Sequence, residues 1–202
     1  MKPFSESCEQ NKAVILKTIK PVLSSCNSVL EIGSGTGQHA VYFAQHLSHL
    51  QWYTSDRLEA LNGIQMWLDE FQSEGGLNNV HSPVSLDVTQ SQWPEINVDA
   101  VFTANTLHIM SWYEVQMFYE RLPEILNADG LMLAYGPFNY QGQYTSDSNQ
   151  RFDGWLKARD PDSGIKDFSE LNDLALKNGL NILADYEMPA NNRILLWQKD
   201  AS

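Results

Sequence analysis

The sequence predicts an α/β fold in which a doubly wound, mostly parallel sheet of seven strands is covered by helices. Short apolar runs alternate along the chain with stretches whose apolar residues recur at helical spacing, which is typical of such a sheet. Three glycines, Gly33, Gly35 and Gly37, lie directly between the first apolar run and an amphipathic stretch. A short turn separates the last two strand-like runs, and a parallel crossover needs about a dozen residues, so these strands must pair antiparallel.

The amino-terminal half alternates helices and strands as far as Asp87. The predicted strands are residues 28–32, 51–55 and 80–86. A first helix occupies residues 9–25, with a kink or an end at Pro21. The next two helices are indicated by apolar stripes at i, i+3, i+4 and i+7, in residues 40–47 and 61–71. Gly75-Gly76 is expected to stop the third helix.

The carboxy-terminal half continues this alternation with one interruption. Predicted strands occupy residues 100–104, 131–135, 180–186 and 193–198. Two stretches have apolar residues at helical spacing and indicate helices. The first is expected to stop at Asp129-Gly130, and the second includes Leu171. Between Gly136 and about Lys166 the pattern lapses into a polar, aromatic-rich stretch that is too long for an ordinary connection. We therefore predict a single domain, residues 1–202, with a helical cap at 1–27 and a lid-like insertion at 136–166.

Charge and composition exclude several classes of function. The 202 residues include 13 Lys plus Arg and 25 Asp plus Glu, a net charge of −12, which repels nucleic acid at long range. No apolar run approaches the roughly 20 residues that span a bilayer, and the first residues lack the apolar core of a signal peptide. Cys8 and Cys26 match neither a disulfide framework nor a metal site. We expect a cytoplasmic protein with no membrane partner and no metal; the oligomeric state is left open.

The glycine loop follows the pattern G-x-G-x-G and comes directly after Glu31-Ile32. Glycines at this place allow a tight turn and let backbone N–H groups approach a ligand at the start of a helix. The alternative is a sharp strand-to-helix turn with no ligand. A nicotinamide or flavin fingerprint would need glycine at the sixth position, where this chain has Gln38.

With Glu31 before it, the loop resembles the first motif of class I S-adenosylmethionine-dependent methyltransferases. The resemblance implies S-adenosylmethionine as the cofactor, held by the motif residues Glu31, Gly33, Ser34, Gly35, Thr36 and Gly37. It also implies that Asp56, at the end of the second strand, accepts hydrogen bonds from both ribose hydroxyls. Asp87, followed by Val88, would contact the adenine amino group; its alternative role is to cap a helix beginning near Val88. A reversed last strand is likewise a feature of the methyltransferase sheet.

Longer segments resemble a narrower, largely uncharacterised domain-of-unknown-function family that includes methyltransferase-like protein twenty-six. The matching segments span nearly the whole chain, and the most specific of them are TSDSN, RDP and MPANN. Gln10 and Lys166 depart from this resemblance, because Arg is expected at both positions. Lys cannot hold a carboxylate bidentately as Arg does, which weakens the case for an anion contact there.

The methyl acceptor is expected to be a small molecule bound at the carboxyl ends of the strands. There the glycine loop, residues 105–112, residues 136–140 and the MPANN turn should converge. His108 is a candidate base, since its ordinary pKa is about 6.5, or else a structural histidine. Asn105 would orient the acceptor or the methionine amino group of the cofactor, or else cap the next helix. Tyr135 is a further catalytic candidate at this edge of the sheet.

The 136–166 segment offers a second set of candidates. Arg159 is expected to recognise charge on the acceptor, or to latch a lid together with Asp160. The alternative is that Phe152, Trp155 and Leu156 pack a short helix, with Arg159 and Asp160 in a surface ion pair worth under about 1 kcal/mol. The aromatic side chains of the segment are expected to lie mostly in the core.

These observations favour a small-molecule S-adenosylmethionine-dependent methyltransferase that works by in-line methyl transfer. The rival is a catalytically silent protein that keeps the methyltransferase fold and serves as a cofactor-binding or assembly partner. A dinucleotide oxidoreductase is a third reading, which Gln38 and the reversed last strand disfavour.

Overall fold

The structure, a computed structural model, describes residues 1–201. Its strands are β1 (Ser28–Ile32), β2 (Gln51–Asp56), β3 (Val80–Ser85), β4 (Val98–Ala104), β5 (Leu126–Gly136), β6 (Leu180–Met188) and β7 (Asn192–Lys199). Its α-helices are α1 (Glu6–Val22), α2 (Gln38–His46), α3 (Leu61–Ser73), α4 (Trp112–Ile125), α5 (Asp147–Arg159) and α6 (Phe168–Lys177).

The seven strands form one sheet in the order β3-β2-β1-β4-β5-β7-β6. β1 pairs in parallel with β2 and β4, and β2 pairs in parallel with β3. β7 runs antiparallel to both β5 and β6. The predicted fold class, an α/β sheet that is mostly parallel with a reversed last strand, is therefore confirmed.

The chain divides into two compact units. The amino-terminal unit is Met1–Phe102, and the carboxy-terminal unit begins at Thr103. The prediction that residues 1–202 act as one domain, with a cap and a lid, stays a prediction.

The core of the amino-terminal unit is built on three fully buried aromatic side chains. Phe43 of α2 lies 5.5 Å, between ring centroids, from both Trp52 of β2 and Phe102 of β4. Such tilted and edge-to-face pairs add to the stabilisation from burial itself. α1 buries Ile15 and Ile19. It ends one residue beyond Pro21, which agrees with the predicted end there, but it spans residues 6–22 rather than the predicted 9–25.

The carboxy-terminal unit has a core of its own around Tyr119 of α4. Its ring lies edge-to-face against Trp197 of β7, with 5.7 Å between centroids. α4 ends at Ile125, earlier than the predicted stop at Asp129-Gly130, and β5 begins immediately after it. The Lys199 ammonium donates to the carbonyls of Pro123 and Leu126, at 2.7 and 2.8 Å, and so satisfies acceptors that a longer helix would have satisfied itself.

The predicted long loop at 136–166 contains α5. The helix begins after Ser146, whose hydroxyl accepts from the Asn149 amide at 3.1 Å. Its buried side chains are Asn149, Asp153 and Leu156, so two of the three inward positions are polar and the hydrophobic period that normally reveals a helix is missing. The prediction that the aromatics of this segment lie mostly in the core is wrong for Trp155, which is 51% exposed, and for Tyr144.

Among residues 1–201, no helix combines the length and apolar character that crossing a membrane requires. The cytoplasmic address stays a prediction.

Candidate functional site

The glycine loop in the amino-terminal unit is pinned to the end of β2. The amides of Gly33 and Ser34 both donate to the Ser55 carbonyl, at 3.0 and 2.9 Å. Gly37 has φ 90°, and a Cβ there would lie 3.2 Å from the Cα of Ile64, so α3 leaves no room for a side chain. Gly35 has φ 58°, and a Cβ built on it would meet nothing within 4 Å. The backbone is therefore open at Gly35, the place where a ligand can approach it.

Asp56 lies directly beside this open loop. Its Oδ2 accepts from the Gly35 amide and its Oδ1 from the Arg57 amide, both at 2.7 Å. Burial raises the pKa of Asp56, although the two amides oppose that rise. Each carboxylate oxygen keeps a second lone pair, so the half-buried group can still accept from a ligand hydroxyl.

Glu31 lies beneath the loop and is 1% exposed. Burial raises the pKa of its carboxyl from 4.5 to about 7, even though the Trp52 indole donates to Oε2 at 3.2 Å. Its backbone carbonyl accepts from the hydroxyls of Ser55, at 2.8 Å, and Ser34, at 3.4 Å. Glu31 thus has direct contacts through which it can orient the loop.

Asp87 and Val88 follow β3, next to the end of β2, where the Leu86 amide donates to the Asp56 carbonyl at 2.9 Å. Oδ1 of Asp87 accepts from the amide and hydroxyl of Thr89, at 2.9 and 2.7 Å, and these bonds lower its pKa. The alternative that Asp87 caps a helix beginning near Val88 is wrong. The carboxylate holds a turn there, and the next helix is α4.

Sequence reasoning missed the role of Gln38, a side chain that is 2% exposed. Its Oε1 accepts from the Ser5 amide at 2.6 Å and from the Thr36 hydroxyl at 3.1 Å, and its Nε2 donates to Glu9 at 3.4 Å. Gln38 therefore ties the first turn of α1 to the glycine loop. The only signal in the sequence was that Gln38 replaces the third glycine of the dinucleotide fingerprint.

In the carboxy-terminal unit, the structure brings Asn105 and Tyr135 together. Asn105 has φ 57°, and its amide donates to the Tyr135 carbonyl at 2.9 Å. Asn105 does not cap the next helix, so that alternative is wrong. Ser111 is the cap, in a reciprocal capping box in which Ser111 Oγ accepts from the Glu114 amide at 3.2 Å and Glu114 accepts from the Ser111 amide at 2.7 Å.

His108 lies next to the end of β5. Its Nδ1 is 3.7 Å from the place of a Cβ built on Gly136, and its ring packs edge-to-face against Phe152 with 5.1 Å between centroids. Burial lowers the pKa of His108 to about 4, with a smaller contribution from the positive charge of Lys166. The imidazole is therefore neutral near pH 7, in the form that can accept a proton, but it is a weak base.

Arg159 is exposed at the end of α5. Its guanidinium carbon lies 4.6 Å from the centroid of the Trp155 ring. The carboxylate of Asp160 accepts instead from the Asp162 amide at 3.1 Å, so the ion pair between Arg159 and Asp160 is not formed in the described part of the chain.

The middle of the 136–166 segment is held by a buried carboxylate. Asp153, 1% exposed, accepts from the Tyr144 hydroxyl, the Lys157 ammonium and the Ile165 amide, each at 2.7 Å. Burial alone would raise the pKa of Asp153, but these three donors lower it. Asn149 joins the same helix to the MPANN turn by donating to the Asn191 carbonyl at 3.1 Å. Asn105 and His108 lie against the end of β5, and Gly136 pairs with Arg193 just after the MPANN turn. That these segments form one acceptor site stays a prediction. That the glycine loop shares their edge stays a prediction.

Comparisons with known proteins agree with this architecture. Residues 2–199 match the family described as "Protein of unknown function (DUF938)". The S-adenosylmethionine-dependent methyltransferase SibL, solved in its apo form, is 18% identical with a TM-score of 0.79 over 96% of this chain and 55% of its own. Human N-acetylserotonin methyltransferase, solved with S-adenosylmethionine, is 16% identical with a TM-score of 0.78 over 96% of this chain and 53% of its own.

A putative O-methyltransferase from Nostoc punctiforme PCC 73102 is 14% identical, with a TM-score of 0.80 over 95% of this chain and 56% of its own. The chain thus spans about half the length of these solved structures. At such identities the likeness shows the methyltransferase fold alone.

Proposed function

The chain belongs to the DUF938 family of proteins of unknown function, and we propose that it is an S-adenosylmethionine-dependent methyltransferase that acts on a small molecule. The observation that carries the proposal is the contact between Asp56 and the Gly35 amide, which places a carboxylate beside the open part of the glycine loop. Residues 2–199 match this family, so the proposal concerns the matched region. We also propose that the chain belongs to the narrower group of proteins that includes methyltransferase-like protein twenty-six.

The residues of the amino-terminal unit fit this cofactor. The positive φ and free space at Gly35 suit close approach of a ligand to the backbone. Asp56 has lone pairs for two ribose hydroxyls, and Asp87 is half-buried at the neighbouring strand end. When bound, S-adenosylmethionine supplies a methyl group activated by a positively charged sulfur. The ionisable Glu31 beneath the loop adds negative charge to this region once it loses its proton.

The carboxy-terminal unit holds the candidate groups for the methyl acceptor. His108 is neutral at physiological pH and can take a proton from an acceptor as the new bond forms. Asn105 and Tyr135 are fixed together beside it and can orient the acceptor. Arg159, exposed on α5, is available to a negatively charged acceptor.

A lid is proposed for the exposed turn of the 136–166 segment only. Residues 141–145 are exposed, whereas Asp153 and Asn149 anchor the helix that follows. The amides of Gly142 and Gln143 donate to Asp167 at 2.6 Å and to the Tyr140 carbonyl at 2.9 Å. Amide exchange should therefore be fast at Gln141, Tyr144 and Thr145, should slow there on ligand binding, and should remain slow through α5.

The low basicity of His108 is the observation that favours the catalytically silent alternative. A base with a pKa of about 4 is a poor match for proton transfer near pH 7. In that case the cofactor would bind, but no acceptor would turn over.

Two measurements on the whole chain test the proposal. S-adenosylhomocysteine, S-adenosylmethionine and NAD are compared by thermal shift, and at about 100 times the Kd we expect about 2.7 kcal/mol for the first two, or roughly 5 to 10 °C. Asp56→Asn should abolish most of that shift, while the exposed control Asp69→Asn should retain it. No shift with either adenosyl ligand would refute the cofactor assignment.

The second measurement is turnover, with S-adenosylhomocysteine formation in the presence of a fractionated metabolite extract as the readout. Activity in any fraction that His108→Ala removes would support the enzyme. A full thermal shift without turnover in any fraction would support the silent alternative.

A further inference from the structure

A small cavity in the carboxy-terminal unit is lined by none of the side chains to which the proposed function gives a role. It has a volume of about 290 Å³ and lies against the first residue of α4, the Ser163–Lys166 segment and the start of α6. This volume is at the low end of ligand pockets, so its occupant is a small molecule. The side chains that decide its chemistry are Trp112, Lys157, Asp162, Lys166 and Glu170.

Lys166 supplies an unfilled donor in the wall of this cavity. The residue is 8% exposed, and its ammonium donates to the carbonyls of Met110, at 2.7 Å, and Gly164, at 2.8 Å. An ammonium has three donors, and the third has no protein acceptor within residues 1–201. Leaving a buried charge without its full set of partners is costly, and an anion in the cavity removes that cost. The position of Lys166 therefore suits an anion, although the presence of Lys where Arg was expected had put an anion contact there in doubt.

The wall is rigid around Lys166. The Gly164 amide donates to the His108 carbonyl at 2.9 Å, and the Ile165 amide donates to Asp153 at 2.7 Å. Gly164 has φ 147°, and a Cβ there would lie 2.8 Å from Cε of Lys157 and 2.9 Å from Oδ1 of Asp153. The segment is therefore held from both sides, and the donor of Lys166 is positioned before any ligand arrives.

The remaining charges narrow the ligand class. Lys157 already donates to Asp153 at 2.7 Å. Asp162 and Glu170 are exposed, and within residues 1–201 neither carboxylate forms a hydrogen bond or an ion pair. Two free carboxylates repel a doubly charged anion such as phosphate but attract a cation. A ligand with one carboxylate and one ammonium group complements both the positive charge of Lys166 and the negative charges of Asp162 and Glu170.

We propose that this cavity binds a free amino acid or a closely similar small zwitterion. The ligand carboxylate accepts from the Lys166 ammonium, its ammonium faces Asp162 and Glu170, and its apolar part packs on Trp112. None of these side chains belongs to the glycine loop, to the ends of β2 and β3 or to the candidate acceptor groups, although Lys166 lies close enough to His108 to lower its pKa.

The test is an NMR titration of the cofactor-free, full-length protein with L-phenylalanine. Saturable shifts should appear at the amides of Ser163–Lys166 and at the Trp112 indole. L-phenylalaninamide, which lacks the carboxylate, and N-acetyl-L-phenylalanine, which lacks the ammonium, should each bind about 10- to 100-fold more weakly. Inorganic phosphate should produce no saturable shift.

Variants then test this role of Lys166. Lys166→Met should weaken L-phenylalanine binding about 10- to 100-fold, whereas Lys166→Arg should retain it. Lys177→Met removes the same charge from an exposed position on α6 and should change nothing. If Lys166→Met fails to fold, the exposed pair Asp162→Asn and Glu170→Gln replaces it, and the double variant should weaken L-phenylalanine but not its N-acetyl form.

Several results would overturn the proposal. The first is that the shifts do not saturate up to the solubility limit of L-phenylalanine, and the second is that they are confined to other residues. The third is that Lys166→Met and Lys177→Met lose the same amount of affinity for L-phenylalanine. Equal affinity for the N-acetyl form or for phosphate would show a plain anion site in place of the zwitterion site. Because the cofactor is absent throughout, failure of the methyltransferase proposal leaves each of these outcomes unchanged.

Discussion

Replacing Glu31 by Gln should make the protein more stable at neutral pH, although the substitution lies in the candidate cofactor site. Glu31 is 1% exposed, and burial raises the pKa of its carboxyl from 4.5 to about 7. Gln keeps the shape of the protonated acid and an oxygen that can accept from the Trp52 indole, but it has no charge to bury.

The magnitude follows from the pKa. A carboxyl with a raised pKa binds its proton more tightly in the folded state, so its contribution to stability is complete below pH 4.5 and is lost as the pH rises to about 7. Since one pKa unit corresponds to about 1.4 kcal/mol, the loss amounts to about 3 kcal/mol above pH 7. Glu31→Gln removes this loss, so its advantage over the parent should be near zero at pH 4.5 and up to about 3 kcal/mol at pH 8.

The assay is urea unfolding of parent and variant at a series of pH values from 4.5 to 8, at constant ionic strength. The free energy of unfolding is compared between the two proteins at each pH, so that the titration of all other groups cancels. Glu74→Gln is the matched control, because it makes the same substitution at an exposed position just after α3.

A Glu31→Gln advantage that stays constant from pH 4.5 to 8, or one that grows toward low pH, would refute the reasoning. A constant advantage would mean that folding does not raise the pKa of the carboxyl, and one that grows toward low pH would mean that folding lowers this pKa. If the fold tolerates the variant, the same protein should bind S-adenosylmethionine more weakly than the parent at pH 8, because a negative charge near the cationic cofactor is gone.

Three further predictions concern single side chains. Asp56→Ala should weaken S-adenosylhomocysteine binding about 10- to 100-fold by calorimetry, and unchanged affinity would mean that the end of β2 does not meet the ribose. His108→Ala should lower turnover with little change in cofactor affinity. Because burial lowers the pKa of His108 to about 4, the pH profile of the parent's rate should show no inflection near pH 6.5. An inflection near pH 6.5 that disappears in His108→Ala would show that burial does not lower the pKa of His108. Asp153→Ala should destabilise the fold by about 3 kcal/mol and speed exchange at the Ile165 amide, while the exposed control Asp147→Ala should not.

Much of the amino-terminal site could be predicted from the sequence, because its signals are local. Glycine spacing between a strand and a helix determines where the backbone can turn with positive φ, as Gly35 and Gly37 do. A carboxylate at the end of a strand adjoining that loop must lie near it, and Asp56 does. The antiparallel final pair followed from turn length alone.

The 136–166 segment was harder to predict, because the residues that its helix buries are mostly polar and so show no hydrophobic pattern at helical spacing. α5 turns Asn149 and Asp153 inward, and these polar residues are buried only because Asn191, Tyr144 and Ile165 complete their hydrogen bonds. A sequence pattern scores such positions as exposed. From sequence, a short helix was therefore only the alternative to a loop, and the structure shows that it runs from Asp147 to Arg159.

By itself, the sequence determined the order of the strands and of every α-helix except α5, the glycine loop, and the carboxylates at the ends of β2 and β3. Only the tertiary structure decided that Gln38 ties α1 to the loop, that Ser111 rather than Asn105 caps α4, and that Lys166 carries an unfilled donor inside a cavity. The physical reason is that backbone conformation depends on neighbouring residues, which a sequence displays. The burial of a polar side chain is stable only if partners from elsewhere in the chain satisfy it, and those partners are known once the chain has folded.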